Sequence, residues 1–299
     1  MIAGIIDIGS NTTKAFCYSI ENNIITYLTK KEIFAYLMTH NQNGIMSDEG
    51  IDILVNAVVQ LKEFLKEHHC DAIFAYATSA VRDAENNQLI RERVMAATTL
   101  AVDILSEEQE ARCDYYSLRY YTNAPEGIGL DLGGGSGQIF TFDAKTVLES
   151  VSLPIGILRT KNLIVSGDFP TEAEFKKINC HITEILTQTN QLTKKNHAKL
   201  MIMGGTATTL LNVMRALKLV DTEICVIPFE LMQKAKELLV AKGKDLLPFL
   251  QEHASGREYT TLPGIEVLRT IGKYFSIQSY EIFSNGSREG YLIMKGLLD

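Results

Sequence analysis

The sequence has no Cys-x-x-Cys pair, and its five cysteines, Cys17, Cys70, Cys113, Cys180 and Cys225, lie far apart with no histidine at zinc-ligand spacing. They read as reduced core or surface thiols. His40, His68, His69, His181, His197 and His253 form no ligand set either, which leaves them structural or solvent-facing. There is no basic surplus: 29 Lys and Arg stand against 36 Asp and Glu, a formal charge of −7. A nucleic-acid groove needs cations to displace counterions, so no nucleic-acid partner is expected. No apolar run approaches membrane-spanning length, and Met1-Ile-Ala-Gly-Ile-Ile meets Asp7 before a basic leader could form. The expectation is a cytoplasmic chain with no membrane partner. Low-complexity and coiled-coil segments are also lacking.

What is present is enough for two α/β domains: 299 residues, 46% hydrophobic and 22% charged. Ile2 to Ile8 is a short apolar run that reads as a buried strand, and strand patterns return over Thr13 to Tyr18 and Ile24 to Ile33. Ile51, Leu54, Val55, Val58, Leu61 and Leu65 then keep close to a helical stripe. A strand over Ile73 to Ala77, a helix from Arg82 to Ala96, a strand over Val102 to Leu105 and a helix capped by Ser106 follow. The turn-rich Thr122-Asn-Ala-Pro-Glu-Gly127 predicts a division into domains 1–124 and 125–299, with the last helix able to pack back on the first.

Beyond that turn the opening pattern returns. Ile128-Gly-Leu-Asp131-Leu-Gly-Gly-Gly-Ser136 echoes Ile5-Ile-Asp7-Ile-Gly-Ser10, and strands over Ile139 to Phe142 and Val147 to Leu153 follow it. Helices over Glu172 to Thr187, Phe229 to Ala241, Leu262 to Tyr274 and Arg288 to Leu298, with strands over Leu200 to Met203 and Ser279 to Phe283, complete the second half.

Asp7-Ile-Gly9-Ser10-Asn11-Thr12-Thr13-Lys14 offers a close backbone approach, hydroxyl donors and one cation, which suits phosphate oxygens; it equally suits an ordinary hairpin turn. Gly133-Gly134-Gly135-Ser136 sharpens the first reading, because three glycines in a row exceed what a turn needs. Asp131 beside them could hold a divalent cation or simply cap the turn. Two further glycine turns follow strands, Gly204-Gly205-Thr206 and Asn285-Gly286-Ser287-Arg288; the former opens a helix whose amides favour an anion, and the latter repeats the arrangement.

Together with Ala77-Thr-Ser-Ala-Val-Arg82-Asp-Ala84, Leu105-Ser-Glu-Glu-Gln-Glu110-Ala-Arg112, Ser152-Leu-Pro-Ile-Gly156 and Leu262-Pro-Gly264, these turns resemble the exopolyphosphatase and guanosine pentaphosphate phosphohydrolase family, in order and over nearly the whole chain. The resemblance implies an α/β fold of two ribonuclease H-like lobes, as in the actin, sugar kinase and heat-shock chaperone superfamily, with an interlobe cleft. It implies a hydrolase that releases terminal phosphate from polyphosphate or from the 5′-γ position of guanosine pentaphosphate. Glu110 matches the catalytic glutamate and Arg82 the phosphate-bound arginine, although alone Glu110 would read as a solvated helix carboxylate and Arg82 as a surface ion pair with Asp83 or Glu85. Gly9, Ser10, Asn11, Thr12, Gly133, Gly134, Gly135, Ser136, Gly204, Gly205 and Thr206 match phosphate-binding turns, and Asp7 and Asp131 match the ligands of Mg2+ or Mn2+. Guanosine penta- or tetraphosphate or polyphosphate is the implied partner, and a homodimer the implied assembly.

Two departures stand out. Where the family continues the second turn to a glutamate, this chain has Gln138, and where an acidic residue precedes Pro-Gly it has Tyr259. An amide is neither a base nor a strong magnesium ligand. A relative that binds phosphate chains with little or no turnover is therefore the alternative reading; a sugar-kinase-like activity fits the Glu110 and Arg82 stretches poorly.

Overall fold

The first apolar run becomes strand β1 (Ile2–Ile8), and its near-continuous burial follows from its place at the centre of a sheet. It pairs antiparallel with β2 (Thr12–Glu21), which pairs antiparallel with β3 (Ile24–Phe34). A hairpin of β4 (Asn41–Gln42) and β5 (Ile45–Met46) precedes α1 (Asp48–Glu67). Ser47 caps α1 by accepting from Gly50 N at 3.2 Å, and Ile51, Leu54, Val58, Leu61 and Leu65 form its buried stripe. The computed structural model describes residues 1–299 other than 194, 222, 224, 255 and 299.

Parallel strands β6 (Ala72–Ala77) and β7 (Val102–Ile104) extend the sheet on the other side of β1, giving the order β3-β2-β1-β6-β7. Between them the expected single helix is broken into α2 (Ser79–Arg82) and α3 (Asn87–Thr98). The hairpin explains the break. Glu85 N donates to Gly44 O at 2.7 Å, and the Asn86 amide makes a reciprocal pair with the Met46 backbone, so this stretch serves the hairpin instead of a helix.

Helix α4 (Glu107–Tyr121) starts with a capping box, Gln109 N donating to Ser106 Oγ and Ser106 N to Gln109 Oε1. The second sheet repeats the first. Strand β8 (Glu126–Leu132) lies between antiparallel β9 (Gly137–Asp143) and parallel β11 (Lys199–Met203), and β10 (Val147–Leu153) pairs beyond β9. Parallel β13 (Ser279–Ile282) and an added antiparallel strand β12 (Val226–Pro228) complete the order β10-β9-β8-β11-β13-β12. Helices α5 (Ile157–Ile164), α6 (Glu172–Gln188), α7 (Gly204–Ala216), α8 (Phe229–Val240), α9 (Leu246–His253), α10 (Thr261–Tyr274) and α11 (Ser287–Met294) accompany it. Each sheet thus has a three-stranded antiparallel meander continued by parallel strands, the arrangement of a ribonuclease H-like lobe.

The duplication reaches individual residues. Asp7 lies opposite Lys14 on one side and Tyr76 on the other; Asp131 lies opposite Gln138 and Met203 in the corresponding places.

Packing divides the chain into Met1–Glu110 with Tyr291–Asp299, and Ala111–Gly290. The turn at 122–127 lies wholly within the second unit. The reason is that Ala111, Tyr115 and Leu118 of α4 bury against Phe140, Phe142, Met201 and Met203 of the second sheet. The final segment belongs with the first unit: Tyr291 donates to Asp103 Oδ2 at 2.7 Å and sets its ring 4.8 Å from that of Tyr76. No helix among the described residues is long and apolar enough to cross a membrane.

Candidate functional site

In the first unit the site residues gather at the carboxyl ends of β1 and β6. Gly9 N donates to Thr12 O at 3.1 Å and closes the first turn, which spends that amide internally. Ser10 Oγ lies 2.9 Å from Ser79 Oγ, the first residue of α2. Arg82, the last residue of α2, turns the other way. Its Nη1 donates to Glu110 Oε2 and to Leu105 O, the latter at 3.2 Å, while Nε donates to Asp83 Oδ1 at 3.1 Å. Glu107 Oε1 lies 3.8 Å from Nη2.

One short helix therefore ties the hydroxyl of the first turn to the carboxylate of Glu110. Burial alone would lower the Arg82 pKa, but Glu110 and then Asp83 outweigh it and leave it above its ordinary value. The guanidinium is a fixed cation. Lys14, also at this end, is paired with Glu32 at 3.4 Å. Sequence reasoning did not single out Ser79 or Glu107; the hydroxyl after Thr78 and the acidic first turn of α4 were their only local signals.

The second unit brings three glycine turns together. Gly133 N donates to Ser136 O at 3.0 Å, the same closure as in the first turn. None of Gly9, Gly133 and Gly134 lies in the left-handed region, so conformational freedom does not explain them. Space does in part: a β-carbon on Gly9 would come 3.0 Å from Thr12 O, and one on Gly133 3.3 Å from Ser136 O. Gly156 packs so tightly against the backbone of 134–136 that a β-carbon there would collide with Gly135 and Ser136. Arg159 N and Ile157 N donate to the carbonyls of Gly134 and Gly133, holding the loop from α5.

Gly204 does need to be glycine, with φ +85 and with Asp131 Oδ1 only 2.6 Å from where a β-carbon would stand. Its N–H was expected to face an anion, yet it donates to Asn285 O at 3.2 Å, joining the third and fourth turns. Thr206 Oγ donates to Leu132 O at 2.8 Å, so this expected phosphate ligand is a buried link from α7 to β8. Arg257, which the sequence reading passed over, lays its guanidinium against Gly205. With Thr206, Thr209, Thr260, Ile157, Leu210 and Ile265 it lines a pocket open to solvent. Arg288 lies 3.8 Å from Glu289.

Gln138 is buried, opposite Asp131. Tyr259 is half-exposed, with its ring 5.9 Å from that of Phe169.

Comparison with known proteins gives the class of this chain. Residues 19–297 match the Ppx/GppA phosphatase family, and the chain belongs to it. It is 28% identical over 174 residues to exopolyphosphatase 1 of Mycobacterium tuberculosis, covering 57% of this chain and 51% of that protein. It is 25% identical over 173 residues to the guanosine-5′-triphosphate,3′-diphosphate pyrophosphatase of Pseudoalteromonas atlantica, covering 57% and 34%. The chain thus matches about half the length, or less, of these curated relatives. The crystal structure of the Aquifex aeolicus family member superposes with a TM-score of 0.82 at 24% identity, over 99% of this chain and 98% of that one, which establishes the fold.

Proposed function

We propose that the chain is a phosphohydrolase that releases the terminal phosphate from a phosphoanhydride chain, either polyphosphate or guanosine pentaphosphate. The observation that carries this reading is the α2 bridge, with Ser10 and Ser79 at one end and Arg82 and Glu110 at the other. It sets a phosphate-compatible turn, a guanidinium and a partly buried carboxylate in one hydrogen-bonded set. Family membership adds support.

In the proposed reaction a water oxygen attacks the terminal phosphorus, the bond to the bridging oxygen breaks, and the water proton passes to a Glu110 carboxylate oxygen. Arg82 opposes the charge on the phosphoryl oxygens, and holds Glu110 in place before substrate arrives.

Asp7 and Asp131 are hard oxygen donors at equivalent ends of the two central strands, and the space beside Asp131 is kept by Gly204. No cluster of three or more His, Cys, Asp or Glu suited to a metal occurs among the described residues. One aspartate ligand from each strand fits Mg2+ or Mn2+, which retains waters and draws its other ligands from substrate phosphates. Such an ion would neutralise phosphate charge.

The test is orthophosphate release from polyphosphate and from guanosine pentaphosphate with Mg2+, in wild type and Glu110→Gln. Release by the wild type and its loss in the variant, with binding retained, supports the reading. Equal rates would remove Glu110 from the chemistry.

Gln138 favours a second reading, binding with little turnover, because a buried amide stands in register with Asp131 where the family pattern has a carboxylate. Tight binding by calorimetry without any phosphate release would select it.

A further inference from the structure

The first glycine turn has an aromatic neighbour that neither folding nor phosphate chemistry accounts for. Thr12, which ends the turn, lies in register with Phe34, the last residue of β3. Two residues on, Tyr36 N donates to Asn11 O at 2.9 Å, and Met38 N donates to Ser10 O at 3.2 Å. The turn and residues 34–38 are thus one hydrogen-bonded unit.

Phe34 and Tyr36 are stacked, ring centroids 5.8 Å apart and planes 26° from parallel, yet they are 53% and 49% exposed. Tyr36 has φ 47 and ψ 40, the left-handed conformation, which a ring-bearing residue occupies at a cost of about 1–2 kcal/mol. The conformation is over-determined. Ala35 and Leu37 are buried on either side, and Tyr36 O accepts from Thr39 N and Thr39 Oγ at 2.9 and 2.8 Å, which winds the 3₁₀ turn Leu37–His40. That geometry requires a residue tolerant of the left-handed region, and asparagine or glycine would meet it with less strain. A solvent-facing aromatic ring is the one feature the backbone does not ask for.

We propose that Tyr36, stacked on Phe34, is a platform for the base of a nucleotide whose phosphate chain lies in the glycine turn beside it. Every base has a π-face that stacks on an aromatic side chain. The inference rests on the phosphate-chain reading above and narrows it: the preferred substrate class is a nucleoside bearing a phosphate chain, and inorganic polyphosphate lacks the group the platform receives.

The test is calorimetric titration of wild type, Tyr36→Asn and Tyr36→Phe with guanosine 5′-diphosphate 3′-diphosphate and, separately, with inorganic tripolyphosphate, both with Mg2+. Tyr36→Asn removes the ring while suiting the left-handed backbone, so its melting temperature is expected to hold or rise. Loss of one stacking contact should weaken nucleotide binding roughly 5- to 150-fold in that variant. Tripolyphosphate binding should stay within about twofold, and Tyr36→Phe should retain both. An unchanged nucleotide affinity in Tyr36→Asn, or an equal loss for both ligands, overturns the platform and leaves the phosphate-chain reading intact. Failure of both ligands to bind wild type defeats that reading and the platform with it.

Discussion

Glu110 Oε2 accepts a hydrogen bond from Arg82 Nη1, although the two residues are 28 positions apart and belong to different helices. Both side chains are mostly buried, so the pair is not an ordinary surface bridge. The same guanidinium is fixed by Leu105 O and Asp83, which makes its orientation independent of any ligand. Replacing Arg82 with Lys keeps the charge and loses the planar fork. Loss of one charged hydrogen bond is worth about 1.5–3 kcal/mol, so Arg82→Lys should weaken phosphate-chain binding roughly 10- to 150-fold. Calorimetry with tripolyphosphate measures this, and unchanged affinity would assign Arg82 to holding Glu110 alone. Glu110→Gln should instead lower turnover by about 10²–10⁴ with affinity retained.

Gln138→Glu would set a second carboxylate opposite Asp131. If the amide limits turnover, phosphate release with Mg2+ should rise in this variant, and its dependence on Mg2+ concentration should shift to lower values. A variant no faster than wild type would show that the departure at this position costs nothing.

Two glycines on neighbouring turns should separate packing from ligand contact. Gly204→Ala forces a β-carbon into the left-handed region and against Asp131, and should destabilise the protein by about 1–2 kcal/mol or more, seen as a lower denaturation midpoint. Gly134→Ala places its β-carbon 3.7 Å from the nearest atom, Leu158 Cβ, an ordinary contact. It should leave the midpoint nearly unchanged and, if the turn cradles phosphate, weaken tripolyphosphate binding. Wild-type binding by Gly134→Ala would argue that this loop serves the fold alone.

Glu174, the third residue of α6, forms a capping box with Thr171. Hydrogen bonds from the backbone of Thr171 and of Ser166, then from their hydroxyls, hold its pKa at about 2 against an ordinary value of 4.5. A depressed carboxylate stabilises the fold fully above its unfolded value, and the contribution disappears as pH falls from about 4.5 towards 2. Melting curves across that window should fall more steeply for wild type than for Glu174→Gln. Parallel curves would show that the carboxylate gains nothing from its four donors.

The amino-acid sequence determined what depends on near neighbours. Buried strands, the glycine turns after them, the Ser106 cap and the repeat of the Asp7 frame at Asp131 were all legible, because periodicity and turn chemistry act within a few residues. Family membership followed from the order of those turns. Only the tertiary structure decided the rest. Glu85 and Asn86 leave the helical pattern because a distant hairpin takes their hydrogen bonds, and Gly204 N–H and Thr206 Oγ are committed to Asn285 and Leu132 instead of standing ready for an anion. Arg257 reaches Gly205 from 52 positions away, and Tyr36 faces solvent beside Asn11 because Ala35 and Leu37 are drawn inward. In each case the partner is set by sheet register and core packing, which join residues that no local pattern relates.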